Sequence, residues 1–249
     1  MKKRLNTILC TLVLANCGCL ISSAAGLMNE ASSDPSSHPS SGPPQHPYYL
    51  TGKEDVWRTF PAKPALGSSV DQGDLLITLS TQISRTDDQK KEAIYDKDYS
   101  IKLVSDVIDP DFESKYSNTF SVLRNADIDA YFITSMLKRK NGRLRPFAQH
   151  PTLVVPIFTA GDFSYPSGHA SGTELQARIL GKLFPRQSDD LLKRARQIAD
   201  GRVVAGVHYA SDTEAGLTLG DLLFTQLETK PKFKNDLAAA AAKDQIPRK

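Results

Sequence analysis

A chain of 249 residues with a formal net charge of +3 has room for one or two domains. Lys2, Lys3 and Arg4 carry that whole excess, because residues 1–25 contain no acid, and the remainder is formally neutral. This balance excludes the broad positive footprint of a nucleic-acid-binding protein and confines any functional positive charge to a local cluster.

The first 25 residues read as a cleaved secretory signal, with a basic start, an apolar run from Leu5 to Ala15 and small residues through Ala25. The run is too short to span a bilayer permanently. All three cysteines, Cys10, Cys17 and Cys19, lie within the first 25 residues. The exported protein would then have no disulfide, and its core must hold alone. The competing reading is a lipoprotein anchored through Cys17. Leu14-Ala15-Asn16-Cys17 has the form of a lipobox, although Asn16 is a poor residue before a modified cysteine. Gly26 to Pro47 is rich in Ser, Pro and Gly, cannot bury a core, and reads as a disordered tether, leaving residues 48–249 as the folded domain.

Helical patterning begins near Ser69, with Leu75, Leu76, Leu79 and Ile83 at helical spacing. Thr86 to Gln89 has the form of a capping box opening a second helix to about Tyr95. Ile101 to Ile108 suggests a third, and Phe120 to Leu123 a short piece. Ala126 to Lys140 is a longer helix with Ile128, Tyr131, Phe132, Ser135 and Met136 near one face, stopped by Asn141-Gly142. Thr152 to Phe163 has strand-like composition, but Pro156 interrupts it and it reads as loop. Helices follow at about Gly168–Phe184, Ser188–Ala205 and Asp212–Leu227, with a last one opened by Pro231. No stretch after residue 25 is apolar enough to cross a membrane. The expected fold is an all-α, single-domain bundle.

Three clusters carry chemistry. Lys138 and Arg145 stand seven apart, and a persistent helix would point both the same way. Asn141-Gly142 and Pro146 oppose that persistence, and with Arg139, Lys140 and Arg143 also present a solvated basic face is the ordinary reading of such a run. Pro166-Ser167-Gly168-His169 stands just before an amphipathic helix, where free N–H groups and the positive dipole end suit a phosphate. Ser167 can cap that helix, and Gly168 lets the backbone approach an oxygen closely; an ordinary cap beside an exposed histidine is the plain alternative. Arg202 and His208 are six apart, about 240° around a helix. The helix must therefore end near Gly206, with His208 in the turn, if both are to reach one ligand. Ser211 to Glu214 then reads as a capping box for the next helix. Asp212 either supports that N-terminus alone or also hydrogen-bonds His208 and fixes its tautomer. Cations, a hydroxyl beside a glycine, two histidines and a carboxylate suit phosphoryl transfer without a metal. His150, His169, His208 and Asp212 offer a metal site as an alternative, but their spacing lacks the tight ligand pairs of zinc clusters.

Together these clusters resemble the signature of the type 2 phosphatidic acid phosphatase superfamily: Lys, six residues, Arg-Pro; Pro-Ser-Gly-His; Ser-Arg, five residues, His, three residues, Asp. Gly201 stands where the family usually has Ser. The Ser-Tyr before Pro166 and the secreted length are most similar to the class A bacterial non-specific acid phosphatases. The resemblance implies a helical fold of the acid phosphatase and vanadium haloperoxidase type. It also implies phosphate binding by Lys138, Arg145, Ser167, Gly168 and Arg202, His208 as the residue phosphorylated, His169 as general acid, and Asp212 as partner of His208. The expected protein is a periplasmic or secreted acid phosphatase acting on small phosphomonoesters, without metal or other cofactor, with a homodimer implied by resemblance only. Rival readings are a lipid phosphate phosphatase at a membrane surface, a vanadate-dependent haloperoxidase, and a catalytically silent phosphate-binding protein.

Overall fold

The computed structural model describes residues 46–247. The secretory signal, the Cys17 lipobox and the tether up to residue 45 lie outside the described residues. In chain order the helices are α1 (Asp55–Thr59), α2 (Ser69–Ser84), α3 (Asp87–Tyr95), α4 (Lys102–Ser105), α5 (Phe112–Lys115), α6 (Ser117–Asn141), α7 (Pro146–Gln149), α8 (Gly168–Leu183), α9 (Ser188–Val204), α10 (Ala210–Glu228) and α11 (Pro231–Lys243). No strand occurs among the described residues, so the domain is all-α as expected.

Local chemistry explains most of the boundaries. The Thr86 hydroxyl accepts from Gln89 N–H while the Gln89 side chain returns to Thr86 N–H, the reciprocal cap expected for α3. Helix α6 stops where Gly142 enters the left-handed region at φ 56°. Pro146 and Pro231 occupy first-turn positions, where a missing N–H costs nothing.

Several expectations are corrected. The 101–108 helix shrinks to the single turn of α4, and 120–123 is part of the 25-residue α6. Helix α6 buries Val122, Ala126, Ala130, Ile133 and Leu137, a face rotated from the one expected, while Tyr131 is exposed. Helix α2 turns Asp74 and Thr78 inward and leaves Leu76 and Ile83 at 67% and 86% exposure. The apolar spacing on α2 was real, but a buried ion-pair partner decided which face points in. The capping box expected at Ser211 lies two residues earlier: α10 begins at Ala210, and Asp212 accepts the Tyr209 N–H at 2.9 Å.

Helix α8 is the centre of the bundle, packed by α10, α9, α6 and α4 and buried from Ala170 to Ala177 without a break. Its contact with α10 is close because α10 carries glycine where the two helices touch. A Cβ on Gly216 would lie 2.6 Å from the Ser167 carbonyl oxygen, and one on Gly220 would lie 2.6 Å from that of Ser171. This approach sets the N-terminus of α8, with Ser167 as its cap, against the N-terminus of α10, which carries Asp212. The loop from 151 to 167 and the last turn of α6 meet the same region.

Candidate active site

Lys138 sits next to Leu137 on the buried face of α6, which carries its ammonium inward; the residue is 6% exposed. The solvated-face alternative therefore fails for Lys138. Helix α6 ends before Arg145, so the two cations do not share a helix. Arg145 is instead the extended residue that caps α7, at φ −72° and ψ 156°. Both cations nonetheless converge on Asp162. Lys138 Nζ lies 2.7 Å from Asp162 Oδ2, and the Arg145 guanidinium pairs with Oδ1. Arg145 also donates to the carbonyls of Asp162 at 2.8 Å and Val207 at 2.7 Å, and Lys138 donates to the carbonyl of Phe163. Burial lowers the Lys138 pKa to about 8, with Arg145 adding to the effect and Asp162 opposing it. Burial acts to raise the Asp162 carboxyl, but Lys138 and Arg145 outweigh it and hold the group below the usual carboxylate range.

Helix α9 ends at Val204, and Gly206 turns at φ 73°, so His208 lies in the turn as expected. The ring is 2% exposed. Arg145 Nη1 stands 3.1 Å from His208 Nε2. A guanidinium only donates, so Nε2 must be the acceptor and Nδ1 carries the proton. Nδ1 faces Ser164 Oγ at 3.3 Å and Asp212 Oδ2 at 3.5 Å, and Ser164 Oγ donates to Asp212 Oδ2 at 2.5 Å. The expected Asp212–His208 hydrogen bond is therefore shared through Ser164. Burial, then Arg145, Lys138 and Arg202, drive the His208 pKa well below the ordinary histidine value, which keeps Nε2 an unprotonated lone pair.

Arg143 is the residue that sequence reasoning assigned to the solvated run. It is 4% exposed, donates to Asp212 Oδ1 at 2.7 Å and Asp74 Oδ2 at 2.8 Å, and pairs with Asp71 at 3.2 Å. Its guanidinium carbon lies 4.1 Å from the centre of the Tyr209 ring. Burial acts to lower its pKa, but Asp212 and Asp74 outweigh that and raise it. Ser164 was visible in the sequence as part of Ser-Tyr-Pro-Ser-Gly-His, but without a role.

Ser167 caps α8, accepting weakly from Ala170 N–H at 3.4 Å, and its own N–H donates to the Asp212 carbonyl at 2.9 Å. That bond joins the second cluster to the third. Ser167 is fully buried, while Gly168 and His169 are half-buried at the first turn. His169 Nε2 lies 3.0 Å from the Lys97 carbonyl, so Nε2 carries a proton and Nδ1 is the position that can take up a second. The ring packs edge-on against Tyr99 with centroids 5.5 Å apart. Tyr99 is held in turn by Asp127 at 2.7 Å and Gln176 at 2.8 Å. Arg202, 4% exposed, donates to the Asp96 and Lys97 carbonyls and lies 5.0 Å over the Phe158 ring. Burial first, then Arg202 and His208, push the His169 pKa well below its ordinary value. A Cβ on Gly201 would meet only Ala93 Cα at 3.9 Å, so packing does not require glycine there.

The structure thus brings Lys138, Arg145, Ser167, His169, Arg202, His208 and Asp212 into one electrostatic neighbourhood. A buried, oriented, neutral imidazole stands among three cations, with a second imidazole on the neighbouring helix N-terminus. Such an arrangement can bind an oxyanion and attack its central atom. Among the described residues no group of three or more His, Cys, Asp or Glu side chains is placed to hold a metal ion, and no helix is long and apolar enough to cross a membrane.

Residues 125–229 match the family model of the PAP2 superfamily, a span that includes every residue of the three clusters. The non-specific acid phosphatase of Salmonella typhi is 30% identical over 158 residues, covering 59% of this chain and 63% of that protein. The non-specific acid phosphatase of Providencia stuartii is 26% identical over 205 residues, covering 78% of this chain and 83% of that protein. The decaprenylphosphoryl-5-phosphoribose phosphatase of Mycobacterium tuberculosis is 34% identical over 91 residues, covering 36% of this chain and 49% of that protein. Among solved structures, a bacterial vanadium-dependent iodoperoxidase superposes with a TM-score of 0.55 at 17% identity, over 76% of this chain and 59% of that one. The fold is therefore shared by phosphatase-named and haloperoxidase-named proteins.

Proposed function

Because the chain belongs to the PAP2 superfamily, we propose that it is a non-specific acid phosphatase hydrolysing small phosphomonoesters through a phosphohistidine at His208. The observation that carries this reading is the His208 ring: its Nε2 is an acceptor among Lys138, Arg145 and Arg202, and its Nδ1–H is backed by Ser164 and Asp212. The Nε2 lone pair forms the bond to phosphorus while the P–O bond to the leaving alkoxide breaks. His169 gives that oxygen a proton. Water then attacks the phosphohistidine, His169 takes the water proton back, and inorganic phosphate and neutral His208 are regenerated. The three cations hold the non-bridging oxygens, whose charge shifts most in the transition state.

The acid phosphatase reading is preferred to the lipid phosphatase one because the match to the Providencia stuartii protein extends over 78% of the chain, against 36% for the Mycobacterium tuberculosis protein. We further propose residues 1–25 as a secretory signal, 26–47 as a tether and 48–249 as the catalytic domain, with a periplasmic or secreted location.

The reading is tested by hydrolysis of nitrophenyl phosphate at mildly acidic pH. EDTA should leave the rate unchanged, and vanadate, which mimics the five-coordinate phosphoryl group, should inhibit more strongly than phosphate. Activity lost in EDTA and restored by added metal would refute metal-free chemistry. Peroxide-dependent halide oxidation by the vanadate-loaded protein, with no phosphatase activity without vanadate, would favour the haloperoxidase alternative.

A pH dependence follows from His169. Its depressed pKa means that the free enzyme loses the required proton as pH rises through a value below 6.5, the ordinary histidine value. The alkaline limb of kcat/KM should lie there, and that of kcat higher, because a bound phosphate dianion favours the imidazolium. His169→Ala should remove this limb and lower kcat by about 10²–10⁴ for alkyl phosphates, the usual contribution of a general acid, and by much less for nitrophenyl phosphate. Equal losses for both substrates would mean that His169 only binds phosphate.

A further inference from the structure

We propose that the Asp162 side chain is an internal competitor for the phosphoryl subsite, holding Lys138 and Arg145 until a phosphate monoester takes its place. The inference rests on the reading above that these two cations bind substrate phosphate.

The carboxylate presents one oxygen to each cation, Oδ2 to Lys138 at 2.7 Å and Oδ1 to Arg145, as two oxygens of a phosphoryl group would. The three side chains differ sharply in exposure. Lys138 and Arg145 are 7% and 5% exposed, whereas Asp162 is 59% exposed. The cations are built into the site, and the carboxylate reaches them from solvent. It is also not what places them. Lys138 donates to the Phe163 carbonyl, and Arg145 donates to the carbonyls of Asp162 and Val207. Those backbone contacts survive when the carboxylate leaves. Asp162 lies in a stretch without helix or strand, and its side chain is mostly exposed, so it has room to withdraw.

Carboxylate and phosphoryl dianion cannot share the pair, because like charges at that separation repel strongly. A phosphoryl group prevails by carrying more charge than the carboxylate and a third oxygen that the carboxylate lacks. The tethered carboxylate acts at high effective concentration. It therefore raises the apparent dissociation constant of any anion by the reciprocal of the fraction of molecules in which it is withdrawn. Weakly binding monoanions, small carboxylates among them, are thereby kept out at concentrations where a phosphomonoester enters. Because Lys138 and Arg145 keep Asp162 ionised, this competition persists through the acid range in which the phosphatase is expected to work.

The test is calorimetric titration of inorganic phosphate into the full-length wild-type protein, Asp162→Asn and Asp162→Ser, with thermal unfolding as the control for folding. If about one molecule in ten has the carboxylate withdrawn, phosphate binds both variants about ten-fold tighter, and KM for nitrophenyl phosphate falls by the same factor. Unchanged or weaker phosphate binding by folded variants would overturn the proposal, and so would failure of both variants to fold, since either makes Asp162 a structural bridge. Phosphate binding is read independently of turnover. Tighter binding by the variants of a protein that hydrolyses no phosphomonoester would sustain the competitor role and sink the phosphatase reading alone.

Discussion

His208→Ala is expected to abolish phosphomonoester hydrolysis, lowering kcat by a factor on the order of 10⁴ or more, as removing a nucleophile does in covalent enzymes. Arg145 can only donate, so it marks Nε2 as a lone pair, and Ser164 and Asp212 receive the proton on the opposite side. In the proposed mechanism, alanine removes the atom that attacks phosphorus and leaves Lys138, Arg145 and Arg202 to bind the phosphate. Phosphate affinity should therefore survive, and only turnover should be lost. The measurement is kcat for nitrophenyl phosphate beside calorimetric phosphate binding for both proteins. Wild-type-like turnover by the variant would remove His208 from the mechanism.

Arg143→Ala is expected to cost about 3–5 kcal/mol of stability, the range for removing one partner of a buried ion pair. Arg143 is the common partner of Asp71, Asp74 and Asp212, and Asp74 and Asp212 are themselves 3% and 0% exposed. Without it, these carboxylates face one another in the interior. Because Asp212 also orients Ser164 and His208, turnover should fall as well. Arg143→Lys keeps the charge but not the planar fork that reaches Asp212 and Asp74 from separate nitrogens. It should recover more stability than activity. Denaturant unfolding, with kcat on the same samples, measures both. A loss of stability as large in Arg143→Lys as in Arg143→Ala would mean that planar packing on Tyr209, and not charge, explains it.

Some residues of this candidate site are legible in the sequence and others are not. The motif residues were legible because phosphoryl transfer restricts residue types and spacing, and because Gly206 and Pro166 punctuate the chain where His208 and Ser167 must leave regular helix. The limits of α8, α9 and α11 were legible for the same reason, since caps and prolines act locally. Arg143 was not legible. It stands in a run with Arg139, Lys140 and Arg145, and nothing local distinguishes a buried guanidinium from a solvated one. Its partner Asp74 was masked by the neighbouring leucines, whose spacing suggested the opposite face of α2. Asp162 was missed because its role depends on a loop returning to the end of α6, a contact between residues 24 apart in sequence that no periodicity encodes.

The central claim, a covalent phosphate on His208, is tested most directly by mixing enzyme with radiolabelled phosphomonoester and quenching within one turnover into alkaline denaturant, where a phosphorus–nitrogen bond survives. Peptide mapping should then place the label on His208, with none on Ser167 or Asp212, and brief acid treatment should release it. Label found on a serine or an aspartate would contradict the account.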